Sequence, residues 1–458
     1  MISAHMLGSM NDEPIHRQRS ARDCVIRRIA EQIPRWPDLD VRPIAVADLE
    51  ARDRRLAQAI YGQAIRRWIT LAFLLDTRLA RPLRELEPKM QAVLLVGAAQ
   101  VFLFDHLPDH AVVDESVTWA KRNVRAKAGG MVNAVLRRMI DLRGEIVENR
   151  SRLDSKTHSL PLSDGRYVVL REAVWPDDPL ERLAVRTSHP LELLRCWGRR
   201  LAPVEVERLA LHNLMQAPTI IAGLPPEVIA ERDDLTAHTE PGFAVWKGEA
   251  EQLPAFLAER PQARVQDPAS HDVVQGIRRH AEIAGLIIDA CAGSGTKTAQ
   301  LAAAFPNASI IASDVDARRA GLLTERFAGS ARVQVVEQQR LIEHAGTADV
   351  LLLDVPCTNT GTLARRVEAK YRVDEKHLNS LIALQKQIVA DHLALRAPGG
   401  LVAYSTCSLE PEENEQQARW ICKWHDLRIV AERGRRPAGL PGDNPSRYTD
   451  GGYLALIR

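Results

Sequence analysis

Apolar residues recur at steps of three and four through the first third of the chain. Leu56, Ala59, Ile60, Ala64, Trp68, Leu71 and Leu75 fall on one helical face, and Leu94, Gly97, Val101 and Phe104 on another; side chains at this spacing share a stripe on an α-helix. The second helix is expected to stop before Pro108, which has no amide proton and disfavours helix in the residue ahead of it. Further helices are expected near residues 110–126 and 130–142, and no strand pattern precedes about residue 145. An all-α domain over 21–148 follows, behind a disordered start at 1–20.

The pattern then breaks. From 149 to 179 Ser, Asp, Gly and Pro surround one short extended run, Tyr167-Val-Val-Leu170, which reads as a linker. Residues 180–270 mix helical stretches (190–197, 204–213) with extended runs near Thr219 and Val265, a small α+β domain. Over 271–458, strands at Leu286–Ala290, Ser309–Ser313, Val350–Asp354 and Leu401–Ser405 alternate with helices, the order of a largely parallel sheet with helices on its faces.

Composition narrows the class. The 458 residues exceed what one core serves, so several domains are expected. At 45% hydrophobic, with mean hydropathy −0.20 and no apolar run of about 20 residues, the chain reads as soluble, with no membrane partner. Met1–Met10 lack the order of a secretory signal. Six cysteines stand without zinc or disulfide spacing, which fits a reducing cytoplasm and no metal. The net charge of +2 does not announce a nucleic-acid binder. Locally, Lys121, Arg122, Arg125, Lys127, Arg137 and Arg138 stand without an acidic neighbour, and Arg17, Arg19, Arg22, Arg27 and Arg28 cluster. These runs either bind phosphates or are solvated helix faces.

Chemistry collects at strand ends. Ile287-Ile-Asp-Ala-Cys-Ala-Gly-Ser-Gly-Thr-Lys-Thr298 reads as strand, glycine turn and helix start, where backbone amides approach a nucleotide-like ligand; a plain helix start is the alternative. Asp314, closing the next strand, suits ribose hydroxyls. Two further strands end in Asp354-Val-Pro-Cys357 and Tyr404-Ser-Thr-Cys407, at the edge where open sheets bind ligands. A lone free cysteine is usually a small buried hydrophobe; two at equivalent edges suggest a thiolate nucleophile.

These residues resemble the RNA 5-methylcytosine methyltransferases of the RsmB (Sun/Fmu) type. Asp354-Val-Pro-Cys-Thr-Asn-Thr-Gly361 is similar to the family's Asp-Ala-Pro-Cys-Ser-x-Thr-Gly, and Thr406-Cys-Ser-Leu-Glu-Pro-Glu-Glu-Asn414 to its Thr-Cys-Ser-x-x-Pro-Glu-Glu-Asn. Gln266-Asp-Pro-Ala-Ser270, Ser188-His-Pro190 and Thr449-Asp-Gly-Gly-Tyr453 add to it, and Pro108–Val117 with Gly130–Arg137 look like the family's NusB-like RNA-binding domain. The resemblance implies a NusB-like all-α domain, a small α+β domain and a Rossmann-like catalytic domain. It implies S-adenosyl-L-methionine as cofactor, held by Cys291, Ala292, Gly293, Ser294, Gly295, Thr296, Lys297, Asp314 and Asp354. Cys407 is implied as the nucleophile at cytosine carbon 6, Asp354 as support at N3, and Cys357 as assisting proton loss and product release. RNA, in particular small-subunit ribosomal RNA, is the implied partner of a monomer, with Arg365, Arg366 and Tyr371 joining Lys121, Arg122, Arg125 and Lys127 in contacting it.

The chain departs from the family in three places. Cys291-Ala-Gly-Ser-Gly-Thr-Lys297 replaces Cys-Ala-Ala-Pro-Gly-Gly-Lys, and Arg365–Tyr371 lacks the family's proline and tryptophan. At Glu337-Gln-Gln339 the acidic residue that meets the adenine amine is missing, so that contact passes to Gln338 or is absent. The same chemistry on tRNA, or a non-catalytic RNA-binding assembly protein on a decayed methyltransferase fold, are the competing readings.

Overall fold

The computed structural model describes residues 20–42, 44–148 and 158–458. The expected disordered start, with Arg17 and Arg19, lies outside the described residues except for Ser20. The chain divides into two compact units at Asp141 and Leu142.

The first unit is helical: α1 (Ala21–Gln32), α2 (Ala51–Arg66), α3 (Trp68–Asp76), α4 (Pro88–Leu103), α5 (Asp109–Asn123) and α6 (Ala128–Leu142). Helix α4 organises it. Every residue from Met90 to Phe102 is buried, because this helix is apolar all round and is wrapped by α1, α2, α3 and α5. The run from Leu56 to Leu75 is two helices rather than one: Arg67, at φ −113°, breaks the chain between α2 and α3. Ile60, Ala64, Leu71 and Leu75 are buried on both sides of that corner, so periodicity survives a bend that it does not reveal.

The second unit begins with β1 (Arg143–Val147), β2 (Ser159–Pro161) and β3 (Tyr167–Leu170), an antiparallel sheet in the order β1-β3-β2. A linker is expected over 149–179, but its described part is folded. Val168 and Leu170 point inward and Tyr167–Leu170 is paired along both edges, so four apolar residues between polar turns suffice for a sheet centre. Next come α7 (Pro179–Thr187), α8 (Leu191–Gly198), α9 (Pro203–His212), β4 (Ile220–Ala222), α10 (Pro226–Ala230), β5 (Leu235–Ala237), β6 (Phe243–Trp246), α11 (Leu253–Ala258) and β7 (Arg264–Val265). The four strands form a second sheet, β5-β6-β4-β7. Leu193, Leu194, Trp197 and Val206 pack with Leu363, Ala369 and Val373, so this segment shares its core with the part that follows.

That part holds α12 (Pro268–His280), β8 (Leu286–Asp289), α13 (Thr296–Ala304), β9 (Ser309–Ala312), α14 (Ala317–Arg326), β10 (Val333–Val335), β11 (Ala348–Asp354), α15 (Glu375–His392), β12 (Arg396–Thr406), α16 (Glu415–His425), β13 (Ile429–Arg435) and β14 (Gly452–Ile457). Its sheet runs β10-β9-β8-β11-β12-β14-β13. The first five strands are parallel and the last two antiparallel. Ile287, Ile310, Val350 and Leu352 fill one face, and Ile288, Ile311, Leu351 and Leu353 the other; each such side chain contributes about 1.5–3 kcal/mol by leaving water. The outer strand, Ile-Val-Ala-Glu-Arg-Gly-Arg, carries no apolar run because it buries little, whereas β14, Gly-Tyr-Leu-Ala-Leu-Ile, is buried along nearly its whole length. Chain order along the sheet reverses between β8 and β11, and the loops leaving these strands part to open a crevice at their carboxyl ends.

Candidate active site

Each of the five parallel strands brings a polar or thiol side chain to this crevice. β8 leads through Asp289 into the glycine turn, β9 into Asp314, β10 into Gln338, β11 ends at Asp354, and β12 runs into Cys407. Two cavities occupy the crevice. The larger, about 620 Å³, is lined by Cys291, Ala292, Gly293, Asp314, Gln338 and Cys357 among others. The smaller, about 240 Å³, is lined by Lys297, Thr406, Arg365 and Asp450. Asp354, Asn359, Arg366 and Cys407 line both, so a thiol and a carboxylate stand where two ligands would meet.

The glycine turn is built for close approach at one position and for packing at another. Gly293, at φ +58°, has open space where a Cβ would sit, whereas a Cβ on Gly295, at φ +82°, would stand 2.7 Å from Phe327 and 2.8 Å from Leu323. The Gly293 amide donates to Asp314 Oδ2 at 2.9 Å, while Asp314 Oδ1 takes the Asp316 amide at 2.9 Å. With Arg319 Nε also 3.3 Å from Oδ1, this carboxylate is held at the cavity wall with a lone pair of Oδ2 left for a hydroxyl. Ser294, Gly295 and Thr296, expected at the cofactor, do not line the cavity. The second half of the turn faces α14, where the Ser294 carbonyl accepts from Arg326 at 3.1 Å.

Lys297 lies beneath the smaller cavity, its Nζ 2.7 Å from Asp354 Oδ2. Burial alone pulls this ammonium down, but the charge and hydrogen bond of Asp354, with Cys407, outweigh it and hold Lys297 above its ordinary range. Ser405 donates to the other oxygen, Asp354 Oδ1, at 2.6 Å. Deeper still, burial pushes Asp289 up to about 7, against a hydrogen bond from Thr298. Burial, then the carboxylates of Asp289, Asp354 and Asp314, push the Cys291 thiol up, which removes it as a nucleophile.

Cys357 is buried and Cys407 half-buried, with Sγ atoms 3.2 Å apart. The hydrogen bond with Cys407, then burial, hold the Cys357 thiol well above the ordinary range. Asn359, which sequence reasoning passed over, lies between them. It adopts the left-handed conformation at φ +61°, places Oδ1 3.2 Å from Cys407 Sγ and donates from Nδ2 to the Cys357 carbonyl at 2.8 Å. Glu413 lies in the Thr-Cys-Ser-Leu-Glu-Pro-Glu-Glu-Asn414 segment after Cys407. It accepts the Thr358 amide at 3.0 Å and Gln385 Nε2 at 2.9 Å, tying the loop after Cys357 to the loop after Cys407.

The expected RNA contacts separate. Arg366 is exposed and lines both cavities. Arg365 is committed inward, its Nε 2.6 Å from Asp450 and its Nη2 3.3 Å from Asp267. Tyr371 is buried at 6% exposure, its hydroxyl 3.1 Å from Ser188 Oγ; a ring packed in the core does not stack on a base. Lys121, Arg122, Arg125 and Lys127 are exposed at and just after the end of α5, with Arg125 paired to Glu87.

Residues 279–439 match the family of 16S rRNA methyltransferases RsmB/F, and residues 38–141 match the NusB family. The chain is similar to the ribosomal RNA small subunit methyltransferase B of Pectobacterium atrosepticum, at 26% identity over 91% of this chain and 93% of that one. Its counterpart in Xanthomonas campestris pv. campestris is 28% identical over 89% of each. In fold the chain resembles the crystal structure of PH0851, with a TM-score of 0.70 over 96% of this chain and 98% of that one at 21% identity.

Proposed function

We infer that this chain, whose residues 279–439 are a methyltransferase domain of the RsmB/F family and whose residues 38–141 are a NusB-family domain, methylates carbon 5 of a cytosine in small-subunit ribosomal RNA. The observation that carries the reading is that Cys407 and Asp354 line both cavities. A cofactor in the larger and a base in the smaller would face each other across them. The residues fit S-adenosylmethionine: Asp314 for ribose hydroxyls and open space over Gly293.

Carbon 5 of cytosine is too weak a nucleophile to act unaided, and the pair of cysteines answers that need. The Cys407 thiolate adds to carbon 6, forming an S–C bond. The electron pair displaced from the C5–C6 double bond is drawn toward N3, which takes up a proton from solvent, and the Asp354 carboxylate, paired with Lys297, accepts a hydrogen bond from that N3–H. S-adenosylmethionine, when bound, supplies an electrophilic methyl group. Carbon 5 must then lose its proton, and the returning electron pair expels the Cys407 thiolate. Cys357 is suited to that second half. Its proton is held first by the hydrogen bond with Cys407, and once Cys407 is bonded to carbon 6 that constraint ends, so Cys357 can release its own proton to solvent and, as the thiolate, take the proton from carbon 5.

A cytosine stacked in a helix hides carbon 6, so the substrate is single-stranded or flipped. The exposed bases at the end of α5 supply phosphate contacts. Bisulfite sequencing of small-subunit ribosomal RNA incubated with the protein and S-adenosylmethionine tests the reading. One newly protected cytosine is expected, and methylation at another atom or on tRNA alone would refute it.

A further inference from the structure

Taking the larger cavity as the S-adenosylmethionine site, a premise on which this inference rests, we propose that His392 is a positioning residue that locks the Gln338 carboxamide to read adenine in preference to hypoxanthine.

The order of strands sets the direction of the ligand. A methyl group delivered beside Cys407 lies over β12 and β11, a ribose on Asp314 lies over β9, and β10 is the next strand outward. The base beyond the ribose therefore falls over Val315, 80% exposed and lining the cavity, and over Gln338.

Gln338 is held at both ends of its amide. His392 stands at the C-terminus of α15, with Nδ1 2.7 Å from the Ile388 carbonyl. A carbonyl only accepts, so Nδ1 carries the hydrogen, and in the tautomer with that single hydrogen Nε2 holds a lone pair. That lone pair faces Gln338 Nε2 at 2.5 Å and accepts from it. At the other end the buried Ser313 hydroxyl donates to Gln338 Oε1 at 3.0 Å. The amide nitrogen is thereby directed to α15 and the oxygen to β9.

A carboxamide has two N–H groups and two lone pairs, and one of each is used. One N–H and one lone pair remain for the cavity. Adenine presents an amine donor beside a ring-nitrogen acceptor, and hypoxanthine presents a carbonyl beside a ring N–H, the reverse order. A glutamine free to rotate its amide by half a turn serves either base equally. One fixed by His392 and Ser313 serves one, so selectivity resides in the residues that hold Gln338.

Calorimetric titration of the full chain with S-adenosylhomocysteine and with S-inosylhomocysteine measures this selectivity without turnover. The wild-type chain should prefer the adenine ligand by on the order of tenfold or more, the worth of one or two hydrogen bonds. His392→Leu, which keeps bulk but offers no acceptor, should erase most of that preference. His392→Gln, with an acceptor at similar reach, should retain it. Ser313→Ala, a one-atom deletion that spares the fold, should lower it by about threefold. Preference unchanged in both His392→Leu and Ser313→Ala, with the adenine ligand still bound, overturns this inference alone. Failure of the wild-type chain to bind S-adenosylhomocysteine overturns the methyltransferase reading and this inference together.

Discussion

Cys357 Sγ and Cys407 Sγ lie 3.2 Å apart, on loops leaving adjacent parallel strands whose register pairs Asp354 with Ser405. At that separation two thiolates would repel strongly, so the pair carries at most one charge, and the hydrogen bond and burial hold the Cys357 thiol well above the ordinary range. On the proposed mechanism the nucleophile and the proton carrier share a residue type and differ in environment.

Cys407→Ala is expected to abolish both methylation and covalent RNA adducts. Cys357→Ala should still attack the base but release product slowly, with turnover down by about a hundredfold, the usual worth of a positioned proton acceptor. Denaturing electrophoresis of protein mixed with substrate RNA should show a retarded band only in the second variant; the same pattern in both would remove the division of labour.

The partly buried contact between Lys297 and Asp354, 2.7 Å, predicts a second loss. Lys297→Met leaves the carboxylate without its counter-charge at the atom where the base must gain electron density. The methylation rate under single-turnover conditions should fall by about a hundredfold, with cofactor affinity changed far less, because Lys297 lines only the smaller cavity. A purely cofactor-binding lysine would show the opposite division.

The strands that place the site were legible because buried parallel strands read as short apolar runs, as in Leu351–Leu353 and Ile287–Ile288. The chemistry at their ends was legible for the same reason: Asp314, Asp354, Cys357 and Cys407 each stand where such a run stops. What a side chain does after the strand ends was not. Arg365 and Tyr371 read as loop residues open to RNA, yet Asp450, Asp267 and Ser188, far away in sequence, claim them. Asn359 carried a faint signal, since asparagine is among the few residues that tolerate a left-handed backbone, but nothing local says that its amide reaches Cys407.

The two glycines of the turn should fail in different ways. Gly295→Ala combines a left-handed φ of +82° with a Cβ 2.7 Å from Phe327, and should cost about 2–4 kcal/mol by strain and overpacking. Gly293→Ala meets no neighbour within 4 Å but takes a left-handed φ of +58°, so it should lose about 1–2 kcal/mol of stability while weakening S-adenosylhomocysteine binding through the methyl group it places at the cavity wall. Urea midpoints and calorimetry on the two variants separate these effects, and identical profiles would contradict them.

Neutralising Lys121, Arg122, Arg125 and Lys127 together tests the N-terminal domain. If these exposed side chains contact phosphates, RNA affinity should drop and the slope of log K against log salt should become shallower by up to about three to four units. Arg125, already paired with Glu87, should contribute least when replaced singly. An unchanged slope would make the run a solvated helix end.

Asp289 makes stability depend on pH in a direction opposite to that of a salt-bridged carboxylate. Burial raises its native value to about 7, while in the unfolded chain an aspartate titrates near ~3.9. The folded protein therefore holds a proton that the unfolded chain has released, and the stability linked to this group is fully present below about pH 4 and is lost as pH rises through 7. Asp289→Asn cannot titrate, so its stability relative to wild type should improve between pH 5 and pH 7.5, by on the order of 1 kcal/mol or more. Other buried acids, such as Asp267, titrate in both proteins and cancel from the difference. Urea denaturation at the two pH values reads it directly; a difference that stays flat would mean that Asp289 is ionised in the native protein, with Lys297 as its counter-ion.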